Sequence, residues 1–117
     1  MFDWHQYLDL ANNLVESPRA AVEAGARTAV SRAYYAAFHH SRLTLERELS
    51  EQFGPPNIHG KVISRLRERS GGAGLVRTLV RLREKRVHAD YYDDPALSLE
   101  EADLVVKMAA RFLRELR

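Results

Sequence analysis

The chain has 117 residues, 45% hydrophobic and 29% charged, with six Gly, four Pro and no Cys. That is one domain's length with apolar residues enough for a core, which excludes a disordered tail, a collagen-like repeat, a disulfide scaffold, thiolate metal sites and Cys nucleophiles. The net charge of +2 hides a segregation: nine Lys/Arg stand against two Glu between Lys61 and His88, then six acids and no base from Asp90 to Asp103.

The periodicity is helical along nearly the whole chain. Asp3 with Gln6 reads as an N-cap pair, opening a first helix whose Trp4, Tyr7, Leu8, Ala11, Leu14 and Val15 recur every three or four positions. Ser17-Pro18 signals a restart, Ser as N-cap and Pro at the first helical position. The second helix then runs to about Gln52, with Val22, Ala26, Ala29, Val30, Ala33, Tyr34, Ala37 and Phe38 down one side. Gly54-Pro-Pro-Asn57 stops it, because tandem Pro cannot continue a helix. A third helix spans about Ile58 to Glu68, and Gly71-Gly-Ala-Gly74 ends it. The fourth starts near Leu75 and runs towards Ala89; Tyr92-Asp-Asp-Pro95 forms a turn. Ser98 and Glu101 make a capping box for the last helix, striped by Leu99, Ala102, Val106, Ala109, Leu113 and Leu116. No segment alternates with period two, so the expectation is an all-α, up-and-down bundle of four to five helices over 1–117. The longest apolar run, Ala33 to Phe38, is far short of the ~20 residues that span a bilayer. Met1-Phe-Asp-Trp-His5 lacks the basic and apolar regions of a signal peptide, and a cytoplasmic protein without membrane partners is expected.

The unusual residues lie on the fourth helix. At 100° per residue, Leu75, Val76, Leu79, Val80, Leu82, Val87 and Ala89 define an apolar face, and Arg83, Arg86 and Asp90 fall inside it. Arg86 and Asp90 sit at i and i+4, an ion-pair spacing. Charges aimed at a core need partners. Two readings stand side by side: a buried salt bridge shared with Arg32 of the second helix, or a phosphate-reading site at a cleft. His88 lies about 140° from Arg83 on an ideal helix and nearer Arg81. A His among arginines suits general base chemistry on a phosphodiester, and it equally suits a plain surface position. Fifteen of the eighteen cations are Arg, the side chain best matched to phosphate, although a basic face is often only solvated. His39-His40 point in different directions, and no His/carboxylate set has metal-ligand spacing, so neither metal nor cofactor is expected. His59 reads as structural, and Tyr34, Tyr35 and Phe38 as core, with Tyr35 able to reach a base or a partner helix.

Three segments, taken together, resemble a known family. Ser31-Arg-Ala-Tyr-Tyr-Ala-Ala-Phe-His-His40, His59-Gly-Lys-Val62 after a Pro loop, and Arg86-Val-His-Ala-Asp-Tyr91 before an acidic turn look like a small stand-alone prokaryotic HEPN domain. The resemblance covers nearly the whole chain in order. It implies a four- to five-helix bundle, a homodimer, and RNA or nucleotide as ligand. It also implies metal-independent endoribonuclease chemistry in a toxin–antitoxin or defence setting, with a minimal nucleotidyltransferase antitoxin as partner. By that resemblance Arg83 (or Arg81) holds the scissile phosphate, and His88 assists attack by the 2′-OH or protonates the leaving oxygen. Arg81, Arg86, Asp90, Tyr91 and Arg32 support them. The alternatives are a non-catalytic nucleotide- or RNA-binding module, one that docks a nucleotidyltransferase, and a helical dimerisation partner without ligand.

Overall fold

The computed structural model describes residues 1–17 and 22–117. Among them are five helices and no strand: α1 (His5–Glu16), α2 (Glu23–Leu49), α3 (Ile58–Glu68), α4 (Gly72–Tyr91) and α5 (Leu99–Glu115). At 1.5 Å per residue the 27 residues of α2 extend about 40 Å, close to the 42 Å long axis of the molecule. α2 is the central post, packed by all four other helices. Its position explains its sequence. A helix covered on several sides is apolar on several sides, and α2 buries Ala26, Ala29, Val30, Ala33, Tyr34, Ala36, Ala37 and Phe38. The alanines let the neighbouring helices approach, while Tyr34 and Phe38 fill the space between them, each worth about 1.5–3 kcal/mol of burial. α5, covered on one side, shows the single stripe expected of it: Ala102, Val105, Val106, Ala109, Phe112 and Leu113. One apolar cluster draws on all five helices. No helix among the described residues is long and apolar enough to cross a membrane.

Several helix ends differ from the sequence expectation for local reasons. The Ser17-Pro18 start falls partly outside the described residues, and α2 is described from Glu23. It ends at Leu49 rather than Gln52, because Ser50 turns into the left-handed region at φ 54°. α4 begins at Gly72, three residues before Leu75. Gly71 alone makes the turn, at φ 72°, and Gly72 is already helical. A Cβ at Gly72 would lie 2.0 Å from the Leu66 carbonyl oxygen, so the α3–α4 corner closes only on glycine. At its other end α4 runs two residues past Ala89, to Tyr91. Asp3 does not cap Gln6 with its side chain: Asp3 Oδ1 accepts from the His5 N–H at 3.0 Å, while the Gln6 N–H donates to the Asp3 carbonyl at 3.1 Å. Ser98 does cap α5, its Oγ accepting from the Glu101 N–H at 3.1 Å.

Candidate nucleic-acid interface

The i, i+4 pair on α4 is present and is tied to α2. Arg86 Nε donates to Asp90 Oδ2 at 2.8 Å, with the side chains 15% and 27% exposed. The Ser31 hydroxyl donates to the same oxygen at 3.1 Å, and Arg32 Nη2 donates to Ser31 Oγ at 3.0 Å. Two guanidiniums thus reach one carboxylate, Arg86 directly and Arg32 through a serine. Burial opposes the charge on Arg86, but Tyr35, Asp90 and Tyr91 together raise its pKa further.

Aromatic rings lie against both guanidiniums. Arg32 lies 4.8 Å from the Tyr7 ring and 5.3 Å from Tyr35; Arg86 lies 5.1 Å from Tyr35 and 5.4 Å from Tyr91. The order is Tyr7, Arg32, Tyr35, Arg86, Tyr91, rings and cations alternating across α1, α2 and α4. Each contact of this kind contributes about 0.5–2 kcal/mol, more where water is excluded. Guanidinium N–H groups match phosphate oxygens. The Tyr7 end is closed by Trp4 and Phe2, which meet Tyr7 edge-on at 5.1 and 5.8 Å. At the other end Tyr91 is 68% exposed.

Arg83 stands one turn before Arg86, half-buried, with no hydrogen bond or ion pair among the described residues. Both arginines act on His59, whose pKa is lowered first by burial and then by Arg83 and Arg86. Burial likewise pushes the Tyr34 hydroxyl upward. Tyr34 Oη and His59 Nδ1 share a hydrogen bond of 2.6 Å. His59, packed against Phe38 with ring centres 4.3 Å apart, therefore buttresses α3 against α2. Arg83 also lines a groove of about 460 Å³ with Ile63, Val80, Glu84, Val87 and Tyr92. Arg81 lies along the adjoining groove with Arg67 and Arg77.

His88 is not brought to this cluster. α4 continues without a break to Tyr91, so the angular separation of about 140° from Arg83 is kept. Its Nε2–H donates to the Pro95 carbonyl at 2.9 Å. The C-terminal end of α4 carries a clamp that the sequence reading missed. Arg27 Nη1 donates to the carbonyls of His88 (3.2 Å), Ala89 (3.0 Å) and Tyr92 (2.7 Å), and Nη2 to that of Asp93 (3.2 Å). Glu23 holds Arg27 Nε at 2.8 Å and accepts from the Leu97 N–H at 3.1 Å; these two bonds lower its pKa. A cation on the orphan carbonyls of a helix C-terminus also complements the helix dipole. The Glu23/Arg27 spacing was visible in the sequence, but its carbonyl partners are 61 to 66 residues away.

The cluster that the fold assembles is thus Arg32, Arg86, Asp90 and Tyr91, with Tyr7 and Tyr35 added and Arg83 beside it. Tyr7 read as core, and only its contact with α2 places it under Arg32. Among the described residues no group of three His, Asp or Glu side chains is arranged to hold a metal. No protein-family model matches this chain, and no curated protein matches it significantly.

Proposed function

We propose that this chain is a HEPN-like module that binds RNA through phosphate contacts from Arg32, Arg86 and Arg83, without a metal. The observation that carries the reading is the charge balance of the ladder: two guanidiniums, partly withdrawn from water, share one carboxylate, and a third, without a hydrogen bond or ion pair among the described residues, lies one turn away. Arginines held between rings are preorganised, so less entropy is lost when their N–H groups meet an anion. The ordered series of motifs on helices two, three and four supports the HEPN likeness. It brings with it a homodimer, a cytoplasmic toxin–antitoxin or defence role, and a minimal nucleotidyltransferase as partner.

Metal-independent cleavage is the second reading, favoured by the tautomer of His88. With Nε2–H given to Pro95, Nδ1 keeps its lone pair and is able to accept a proton from a ribose 2′-OH. Because Arg83 and His88 diverge on one helix, that chemistry needs a groove completed by a second protomer. The test combines two assays on purified protein. Labelled RNA is titrated with the wild type and with Arg32→Ala and Arg83→Ala variants of matched thermal stability, and total RNA is incubated with the protein in EDTA. Binding that weakens in both variants supports the module. Cleavage in EDTA that vanishes in His88→Ala and Arg83→Ala adds the nuclease. RNA binding that is absent, or indifferent to both arginines, overturns the proposal.

A further inference from the structure

The ladder is asymmetric, and its asymmetry bears on which form of RNA it takes. At the Tyr7 end the aromatic stack is closed by Trp4, which also meets Phe2 edge-on at 4.8 Å and stacks on His39 at 3.5 Å. At the far end Tyr91 presents one ring face to Arg86, and among the described residues no ring covers the other. Tyr91 is also the last residue of α4, so no further helical turn shields it. An aromatic face left open beside a phosphate-matching guanidinium is a stacking platform for a flat, apolar group attached to an anion. A nucleotide is such a group, but only if its base is out of a duplex, since paired bases have their faces covered by neighbours.

We infer that the Tyr91 end of the ladder takes an unpaired nucleotide, its base stacked on Tyr91, its phosphate on Arg86 and the adjoining phosphate of the strand on Arg32, through guanidinium N–H groups without a partner among the described residues. The site is therefore selective for single-stranded over duplex nucleic acid. Stacking is tolerant of base identity, so preference among bases follows stacking strength, purines above pyrimidines. Asp90, beside Arg86, keeps the phosphate contacts on the outer edges of the two guanidiniums. This inference deepens the RNA-binding reading and rests on it.

The test uses the full chain and three probes: a short adenine oligoribonucleotide, the same length as a blunt duplex, and the same length made of abasic ribose-phosphate units. Affinities are measured for wild type, Tyr91→Ala and Tyr91→Phe, each checked by thermal melting; Tyr91 is exposed, so both variants fold. The adenine strand is expected to bind at least about fivefold more tightly than the duplex. Tyr91→Ala should weaken the adenine strand by about five- to a hundredfold, the range for loss of one stacked base. Tyr91→Phe should keep that affinity, and the abasic strand should not respond to either variant. Duplex binding equal to single-strand binding, or a Tyr91→Ala loss as large on the abasic strand, overturns the stacking inference while leaving phosphate binding intact. Failure of every probe to bind overturns both.

Discussion

Replacing Asp90 with Asn separates a structural ion pair from an anion-binding site, because stability and affinity then move in opposite directions. Asn keeps the shape of the carboxylate and an oxygen for the Ser31 hydroxyl, but removes the one negative charge that Arg32 and Arg86 reach among the described residues. The lost bond is a charge-assisted one of 2.8 Å. Such bonds contribute about 1.5–3 kcal/mol, which partial exposure of both side chains reduces to about 1–2 kcal/mol. At about 2.1 cal/mol/K of unfolding entropy per residue, that is a fall in Tm of roughly 4–8 °C. For phosphates seated against the two guanidiniums, the same change removes a repulsive charge a few ångströms away. The Coulomb energy at 4 Å runs from about 1 kcal/mol in water to about 4 kcal/mol near a protein surface, and salt favours the lower end. Affinity for a short RNA should therefore rise about fivefold or more. Differential scanning fluorimetry and fluorescence anisotropy at 0.1 M salt read the two effects on one sample. A variant that loses stability with unchanged or weaker RNA affinity would show that the ladder is a packing device and not a binding site.

Three further outcomes follow from contacts elsewhere in the fold. Arg27→Ala should leave the carbonyls of His88, Ala89, Tyr92 and Asp93 without their shared donor, raising hydrogen exchange across residues 88–97 by tenfold or more; unchanged exchange there would deny the clamp. Gly72→Ala should cost at least about 1–3 kcal/mol, since its methyl would meet the Leu66 carbonyl, and a Tm equal to wild type would contradict that corner. His39, its pKa pushed down to about 4 by burial first and then by Arg42 and His59, is neutral in the fold. The unfolded ring protonates near 6.5, so its contribution is complete above pH 6.5 and is lost as pH falls from there towards 4. The full shift corresponds to about 2 kcal/mol lost between pH 7.5 and 5, which the ring's partial exposure reduces to about 1 kcal/mol; the loss should be smaller in His39→Gln, and a Tm flat across that interval would refute it.

What could be read from the chain depended on how local each feature is. The Arg86/Asp90 pair was legible because one helix turn creates it, and Arg32 was legible as an odd charge among the alanines of α2. Tyr7 was not, since a tyrosine in an apolar stripe looks the same whether it meets leucines or a guanidinium; only the α1–α2 contact decides. Gly71-Gly-Ala-Gly74 reads as a break, yet Gly72 and Gly74 are helical. Gly72 is there for the close approach to Leu66, a tertiary demand that a local pattern does not reveal. The Arg83/His88 spacing illustrates the reverse: a short sequence separation suggests a pair, but an unbroken helix holds the two apart and Pro95 occupies the His88 Nε2.

The most direct measurement is the salt dependence of RNA affinity, for the wild type and for Arg32→Gln and Arg83→Gln. If Arg32, Arg83 and Arg86 neutralise three phosphates of a single strand, log K should fall against log salt with a slope of about −2. Each single substitution should make that slope shallower by about 0.7 and weaken binding similarly across sequences. A slope near zero, or one that neither substitution changes, would contradict the assignment of these arginines to phosphate.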